Sequence, residues 1–509
     1  MKRIVNALGK LNWGKRAYAV FVLCATTAIA LPAQTFTTLH SFDGTDGNGP
    51  YAGLVQATNG DFYGTTTYGG ANCAPSGGCG TIFKITPSGT LTTLYNFCSQ
   101  SGCTDGELPA AGLVQATNGD FYGTTTTGGA NNNAGCGFSG MPGCGTVFKV
   151  TPGGTLTTLY SFCSQSGCTD GENPFAGLVQ ATHGDLYGTT LHGGADGGGT
   201  VFKISPSGTL TTLYSFCSQS GCMDGESPYA GLVQAASGDF YGTTENGGAH
   251  GRGTVFKISP SGTLTTLLSF CSQSKCKDGG SPYAGLVQGA SGDFYGTTEN
   301  GGAHGGPYGG GMVFKITPSG LLTTLYSFCS QSGCTDGEEP YAGLILATDG
   351  DFYGTTYYGG GGTNILGTIF KITPRGTLTT LYSFCSQSGC TDGAYSYAGL
   401  VQATNGDFYG TTQGGGANGI GTVFRLSVGL GPFVETQTTS GNVGAAVKIL
   451  GTDLTGATSV TFNSTAATFT VVSRYLITTA VPAGASTGRV QVVTPIGTLS
   501  SNAPFRVVP

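Results

Sequence analysis

Residues 228–270 read PYAGLVQAASGDFYGTTENGGAHGRGTVFKISPSGTLTTLLSF, and this stretch is the clearest copy of a unit that the chain repeats seven times. The core GD(F/L)YGTT recurs at intervals of 54 to 65 residues, with its aspartate at Asp61, Asp120, Asp185, Asp239, Asp293, Asp351 and Asp407. A fixed period of this length is typical of propellers and solenoids.

Each unit predicts four short strands. AGLVQAT is a short apolar segment, and a Ser-Gly or Asn-Gly pair follows it, as at Ser237 and Gly238. Such pairs favour tight hairpin turns because both residues tolerate a positive φ. DFYGTT and GTVFKI are rich in β-branched and aromatic residues, and a Pro-Ser-Gly turn leads from the latter into TLTTLYSF. No segment has an apolar period near 3.6, so helix is nearly absent from the prediction.

The fourth strand is out of phase with the other three. Its TTL motif first occurs at Thr37, before the first GDFYGTT, and does not occur after the last. Residues 35–42 therefore supply the outer strand of the last unit, which spans residues 397–427. We predict an all-β fold: a seven-bladed β-propeller over residues 34–428, closed by this N-terminal strand. A linear β-solenoid is the alternative, but it would not need the phase shift.

Composition limits the possible functions. The chain has 509 residues, a net charge of -6 and only 9% charged residues. No basic run follows residue 16, so nucleic acid is not an expected partner. One cationic residue per unit lies in the third strand, and we interpret this row as solvated or inter-blade ion-pair positions: Lys84, Lys149, Lys203, Lys257, Lys315, Lys371 and Arg425.

Residues 1–33 resemble a secretory signal peptide. Lys2, Arg3, Lys10, Lys15 and Arg16 precede an apolar segment at residues 17–31, and small residues near Ala30 or Ala33 suit cleavage. The apolar segment is too short for a confident membrane span, and no other stretch of the mature chain suits one. We expect an exported protein, secreted or on the outer cell surface, with the periplasm also open.

The cysteines agree with export. Of 17, Cys24 lies in the signal segment and the other 16 form local pairs. We predict eight disulfides: Cys73/Cys79, Cys98/Cys103, Cys136/Cys144, Cys163/Cys168, Cys217/Cys222, Cys271/Cys276, Cys329/Cys334 and Cys385/Cys390. Zinc is the alternative, but it needs four ligands, and these pairs fall in different blades without partner histidines. We expect no metal and no cofactor.

One face of the predicted propeller varies between units. The loops between the second and third strands differ in length, and they open on the same side as the CSQSGC loops between blades. Variable loops on a rigid scaffold are a common way to build a binding surface. The candidate binding residues on this face are Glu245, His250, Glu299, His304, His192, Tyr68, Tyr308, Tyr357 and Tyr358.

Each candidate has a plainer interpretation. Glu245, His250, Glu299 and His304 suit acid-base chemistry, but without a third orienting group they read as exposed loop residues. The tyrosines suit stacking on sugars or covering glycine-rich backbone. One aspartate per inter-blade loop precedes a glycine, which favours a turn over a cation site: Asp46, Asp105, Asp170, Asp224, Asp278, Asp336 and Asp392. The chain contains no recognised catalytic motif, so no catalytic residue is assigned.

Two family resemblances follow from these motifs. GDFYGTT, GTVFK and TLTTLYSF resemble the tandem repeat named for Gloeobacter and Verrucomicrobia, over residues 35–427. That family occurs in exported bacterial proteins, and the resemblance implies no established activity and no functional residues. Residues 431–509 contain alternating segments for six or seven strands of a small β-sandwich. They resemble an immunoglobulin-like IPT/TIG domain, which implies a spacer or interaction module.

These observations favour a non-catalytic, exported binding protein that recognises a glycan or a protein at the cell surface. A polysaccharide-active hydrolase or lyase, and a structural surface-layer component, are the alternatives. The ligand and the oligomeric state do not follow from the sequence.

Overall fold

The computed structural model describes residues 34–73, 79–131, 136, 142–304, 309–361 and 366–508. The predicted signal peptide lies outside these residues. Secondary structure within them is β, apart from six three-residue 3-10 turns, at Ser101–Cys103, Ser166–Cys168, Ser220–Cys222, Ser274–Cys276, Ser332–Cys334 and Ser388–Cys390.

Seven four-stranded antiparallel sheets form the blades, each ordered from the axis outward. The innermost strands are Val55–Gln56, Val114–Gln115, Val179–Gln180, Val233–Gln234, Val287–Gln288, Ile345–Leu346 and Val401–Gln402. The second strands are Phe62–Thr66, Phe121–Thr125, Leu186–Thr190, Phe240–Thr244, Phe294–Thr298, Phe352–Thr356 and Phe408–Thr412. The third strands are Thr81–Ile85, Thr146–Val150, Thr200–Ile204, Thr254–Ile258, Met312–Ile316, Thr368–Ile372 and Thr422–Ser427. The outer strands of blades one to six are Leu91–Asn96, Leu156–Ser161, Leu210–Ser215, Leu264–Ser269, Leu322–Ser327 and Leu378–Ser383.

The N-terminal strand Thr35–Ser41 completes blade seven, as predicted. It pairs antiparallel with Thr422–Ser427, and its Phe36 ring stacks 3.9 Å from the Tyr382 ring of blade six. The first and last strands of the propeller thus share one sheet, which pairs the edge that Thr422–Ser427 would otherwise expose. The seven-bladed propeller is confirmed, and the linear solenoid is wrong.

Adjacent blades pack through their second strands. In six of the seven blade junctions a tyrosine ring stacks on the phenylalanine of the next blade at 4.0 to 4.2 Å, for example Tyr63 on Phe121 and, across the closure, Tyr409 on Phe62. Within the blade, Gly64 pairs with Phe83, and a Cβ on Gly64 would approach the Phe83 ring to 2.6 Å. In the repeated FYG sequence, the aromatic residues therefore pack adjacent sheets together, and the glycine makes room for a ring of its own sheet.

The innermost strands are shorter than predicted. AGLVQAT suggested about seven paired residues, but only two pair in each blade. The preceding glycines explain the difference, because the blades converge there: a Cβ on Gly53 would lie 2.9 Å from the carbonyl oxygen of Gly399. The residues that precede each innermost strand therefore lie close to the axis and do not pair within their own sheet.

The row of cations forms ion pairs within blades, not between them. Lys84 Nζ lies 3.8 Å from Asp61 of the same blade, and Lys371 Nζ lies 2.8 Å from Asp351. The other five cations likewise face the aspartate that opens their own second strand. These partly exposed pairs each contribute little to stability.

The C-terminal region is a β-sandwich with nine strands in its described part, more than the six or seven predicted. These are Val434–Thr436, Ser440–Asn442, Ala446–Gly451, Ser459–Phe462, Thr465–Ala467, Phe469–Ser473, Leu476–Ala480, Gly488–Thr494 and Gly497–Val508. Its core is apolar and includes Ile449, Leu454 and Phe462, each 0 to 1% exposed. The extra strands are three-residue segments, too short for an alternating pattern to reveal.

The sandwich docks on the propeller face formed by the tight Asn-Gly and Ser-Gly turns. Thr452 hydrogen-bonds Thr404 of blade seven at 2.8 Å, and Lys448 donates to the Thr117 carbonyl of blade two at 2.8 Å. Arg506 donates to the Ala236 carbonyl of blade four. Since blades seven and four lie on opposite sides of the ring, the sandwich spans this face.

Across the described parts of the chain, no helix is long and apolar enough to cross a membrane.

Candidate functional site: an aromatic cup on the propeller axis

The loops between second and third strands meet the inter-blade loops on one face. Short bridges join them, pairing Glu172 with His192, Glu226 with Asn246 and Glu338 with Tyr358. This face is opposite to the one that the sandwich covers. The two sets of loops that vary or carry cysteines therefore form one surface.

Eight disulfides and a row of buried aspartates brace this surface. All eight predicted pairs are bonded. Beside one of them, Asp105 is 0% exposed and accepts hydrogen bonds from Ser99 N at 2.9 Å and Tyr95 Oη at 2.8 Å. Its counterparts in blades three to seven repeat these backbone bonds, at Asp170, Asp224, Asp278, Asp336 and Asp392. These six aspartates therefore stabilise the inter-blade loops, in agreement with their interpretation as turn residues.

A cup of aromatic side chains lies where the axis opens on this face. One residue per blade points toward the axis just before the innermost strand, and six of the seven are aromatic: Tyr51, Phe175, Tyr229, Tyr283, Tyr341 and Tyr397, with Ala110 in blade two. Neighbouring rings lie 4.7 to 5.1 Å apart between centroids, from Phe175 round to Tyr51. The rings are half-buried and enclose a cavity of about 190 Å³.

The sequence P-(Y/F)-A-G, in which Ser396 replaces the proline in blade seven, explains this placement. The proline fixes φ and prevents the segment from pairing, the small alanine fits beside the axis, and the glycine permits the close approach of neighbouring blades. The aromatic side chain between them borders the axial cavity.

Two carboxylates lie directly behind the rings. Glu245 and Glu299 follow the second strands of blades four and five, and each meets the tyrosine of the next blade. Tyr341 donates its hydroxyl to Glu299 Oε1 at 2.8 Å, and Asn300 donates to Oε2 at 3.1 Å. Asn246 donates to Glu245 Oε2 at 3.2 Å, and the Tyr283 hydroxyl also hydrogen-bonds this carboxylate.

Burial raises the pKa of both carboxyl groups above their ordinary values. Tyrosine hydrogen bonds oppose the shift at both, and the charge of Glu245 adds to it at Glu299. Burial, with the charges of Glu245 and Glu299, also raises the pKa of Tyr229 to about 12. The tyrosines of the cup therefore stay protonated as hydrogen-bond donors.

The cup is asymmetric. Glu339 adds a third carboxylate beside Tyr341, with a pKa also raised by burial and then by Glu299. On the opposite side, the positions equivalent to Glu245 hold Thr67, Thr126 and Leu191. One half of the cup is thus acidic, and the other is apolar or weakly polar.

Blade two leaves a gap in the ring. Thr67 of blade one lies on the same side of its strand as Thr65, whose hydroxyl donates to the Ala111 carbonyl of blade two at 2.9 Å. Thr67 therefore faces Ala110, where other blades carry a ring. Thr67 is 5% exposed, and its hydroxyl has no hydrogen-bond partner among the described residues.

Two protein-family models match the chain. The model of the Gloeobacter/Verrucomicrobia repeat matches residues 26–139, 135–305 and 272–469. The chain belongs to the Gloeobacter/Verrucomicrobia repeat family. An IPT/TIG domain matches residues 432–507, in agreement with the predicted sandwich. No curated protein matches this repeat protein in sequence.

Solved structures resemble the repeat protein only distantly. A fungal alcohol oxidase of the AA5 family in complex with copper aligns at 12% identity and a TM-score of 0.49, over 93% of this chain and 99% of its own. A polysaccharide lyase of family PL25, an ulvan lyase, aligns at 11% identity and a TM-score of 0.40, over 67% and 86%. A luciferin-regenerating enzyme aligns at 9% and 0.36, over 79% and 98%. These values assign no activity to the repeat protein.

Of the residues predicted from sequence, Glu245 and Glu299 hydrogen-bond tyrosines of the cup, and three predicted tyrosines border it. The Tyr68 ring lies 6.1 Å from Tyr51, and Tyr357 lies 5.3 Å from Tyr341. Tyr358, 36% exposed, packs 4.7 Å from Tyr357.

The three histidines lie apart from this group of cup residues. His192 is half-buried, and burial lowers its pKa. His250 and His304 are exposed, and within the described ranges neither pairs with a carboxylate. Tyr308 lies outside the described residues.

Sequence reasoning missed the aromatic ring itself. Because Tyr or Phe occurs at this position in six of seven units, the pattern reads as a structural part of the repeat. The available signal was topological: the first strand of a blade lines the axis, so the residue that enters it faces the channel. Gln413, which donates to Tyr51 Oη at 2.6 Å, and Glu339 were also missed, although both depart from the repeat.

Proposed function

We propose that this protein is an exported, non-catalytic binding protein that recognises a glycan or a protein at the cell surface. The aromatic cup is its binding site, and the variable loops around it form the rim. Eight disulfides support a role in an oxidising compartment outside the cytoplasm. The sandwich serves as a spacer on the far side.

The observation that carries this proposal is the ring of six half-buried aromatic residues around one axial cavity. Binding pockets are typically concave and lined by aromatic side chains, with a few polar groups that fix orientation. The cup has this composition. Tyrosine is suited to such sites because it offers a large apolar surface and a hydroxyl.

An enzyme is the second candidate, and one observation favours it. Glu245 and Glu299 sit in adjacent blades with raised pKa values, and a carboxyl group of this kind is suited to general acid catalysis on a polysaccharide. If the protein is a hydrolase or lyase, the Glu245→Gln and Glu299→Gln variants should lose turnover. Unchanged turnover in both would remove these residues from any catalytic role.

A binding screen tests the main proposal. Residues 34–509, produced under oxidising conditions, are applied to arrays of glycans and of extracellular bacterial proteins. We expect a defined set of ligands, and loss of binding in Tyr283→Ala. Tyr475→Ala, which removes a half-buried tyrosine from the opposite side, is the control and should bind normally. Silence on both arrays together with polysaccharide turnover would overturn the proposal.

A further inference from the structure

We propose that the cup binds a positively charged organic group, an ammonium or a guanidinium, with a polar group of the ligand at blade two, where the aromatic ring is missing. This inference rests on the proposed binding function and names the chemistry of its ligand. Three features of the cup support it: its charge, its rings and its gap.

Negative charge borders the cup, at carboxylates that accept hydrogen bonds from its tyrosines. Glu245, Glu299 and Glu339 contribute three carboxylates, and within the described residues none of them makes an ion pair. Their hydrogen-bond donors are neutral tyrosine and asparagine groups. Arg252 is exposed, and its charge lowers the pKa of Glu299 without forming a salt bridge to it. A carboxylate that is partly buried without a counter-charge favours a cation in the adjacent space.

The rings offer a second attraction for the same kind of ligand. An organic cation is attracted to the faces of aromatic rings, most strongly where water is excluded. Tyr229, Tyr283 and Tyr341 lie beside the carboxylates, with centroids 4.7 and 5.1 Å apart. Aromatic rings with carboxylates beside them suit an organic cation better than a neutral sugar or an apolar side chain.

The missing ring at blade two indicates how the ligand is oriented in the cup. At Ala110 the series of aromatic rings is interrupted, and the hydroxyl of Thr67 in the preceding blade, which is 5% exposed, has no hydrogen-bond partner among the described residues. A buried hydroxyl without a hydrogen bond costs free energy, which a polar group of a ligand would offset. Ala110 and Thr67 lie across the axis from the acidic half, so the ligand would place its charge at blades four to six and a polar group at blade two.

Small paired probes test the inference. Each pair differs by one charge: Nα-acetyl-lysine amide against Nα-acetyl-norleucine amide, and glucosamine against glucose. Affinities are measured by calorimetry on wild type, Glu299→Gln and, as a control that removes an exposed charge from the same face, Asp196→Asn. We expect a charged probe that binds wild type to do so about tenfold more tightly than its neutral partner. In Glu299→Gln, the two probes of that pair should bind with equal affinity.

The outcomes separate this inference from the proposed function. A preference for the lysine pair identifies a protein side chain as the source of the cation, and a preference for glucosamine identifies an amino sugar. Equal binding of charged and neutral partners, no binding of either cation, or a Glu299→Gln variant that binds like wild type would each overturn the inference. Array ligands that bind the cup in a Tyr283-dependent way but carry no cation would overturn it while leaving the proposed function intact.

Discussion

Single residues decide the chemistry of the cup. Glu245 and Glu299 were predicted as candidate residues because they depart from the repeat at a position where other units carry Thr, Leu, Tyr or Gln. Their burial and their tyrosine partners could not be predicted, since these contacts join blades that are about 50 residues apart. Departures from a repeat thus point to function, whereas regular positions conceal it.

The two carboxylates should make stability depend on pH. Burial raises their pKa, so the folded state holds their protons more tightly than the unfolded state does. The free energy of unfolding therefore falls as pH rises from the ordinary glutamate pKa, about 4.3, through the raised values. The Glu245→Gln/Glu299→Gln double variant should become progressively more stable relative to wild type over that window.

Urea denaturation at several pH values measures this difference, with Asp196→Asn as the baseline for loss of an exposed acid. A difference between the double variant and wild type that is constant across pH would mean that these carboxyl groups are not desolvated. Their neighbours Glu226, Glu339 and Arg252 remain in both proteins and cancel in the comparison.

At the scale of elements, the repeat made most of the fold predictable. Second, third and outer strands begin and end close to the sequence patterns because turn residues bound them on both sides. The innermost strands were predicted too long, because the crowding of Gly53 against Gly399 depends on ring closure and not on local pattern. The phase of a single motif, first seen at Thr37, was enough to predict that closure.

Closure can be tested by comparing equivalent phenylalanines. Phe42 directly follows the closing strand and Phe216 directly follows the outer strand of blade three, and both are 0% exposed. If the N-terminal strand is integral to blade seven, Phe42→Ala and Phe216→Ala should each destabilise the protein by about 3–5 kcal/mol. Denaturant titration measures both. A near-neutral Phe42→Ala beside a costly Phe216→Ala would show that the strand is not packed.

At the scale of the whole molecule, the sandwich and the variable loops occupy opposite faces. The sequence predicted both bodies and a short linker, but not the docking surface. That surface consists of turn backbone and scattered polar atoms, such as the Thr117 carbonyl that Lys448 reaches, and such contacts leave no pattern in a sequence.

Two equivalent glycines test the docking. Gly60 and Gly238 occupy the same turn with φ of +88° and +92°, but a Cβ on Gly60 would meet the Tyr475 ring at 2.6 Å, whereas Gly238 has open space. Alanine at either position carries a similar backbone cost, about 1 kcal/mol. We expect only Gly60→Ala to increase cleavage of the linker near residue 430 in limited proteolysis. Equal cleavage of the two variants would contradict the docked arrangement.

The most direct test of the binding cup is to close its gap. Ala110→Tyr supplies the ring that the other blades carry and a hydroxyl next to Thr67, so the variant should fold with unchanged or higher thermal stability. We predict that it loses the array ligands of wild type, because the cup is then filled. Full binding by a stable Ala110→Tyr protein would show that ligands are recognised elsewhere on the molecule.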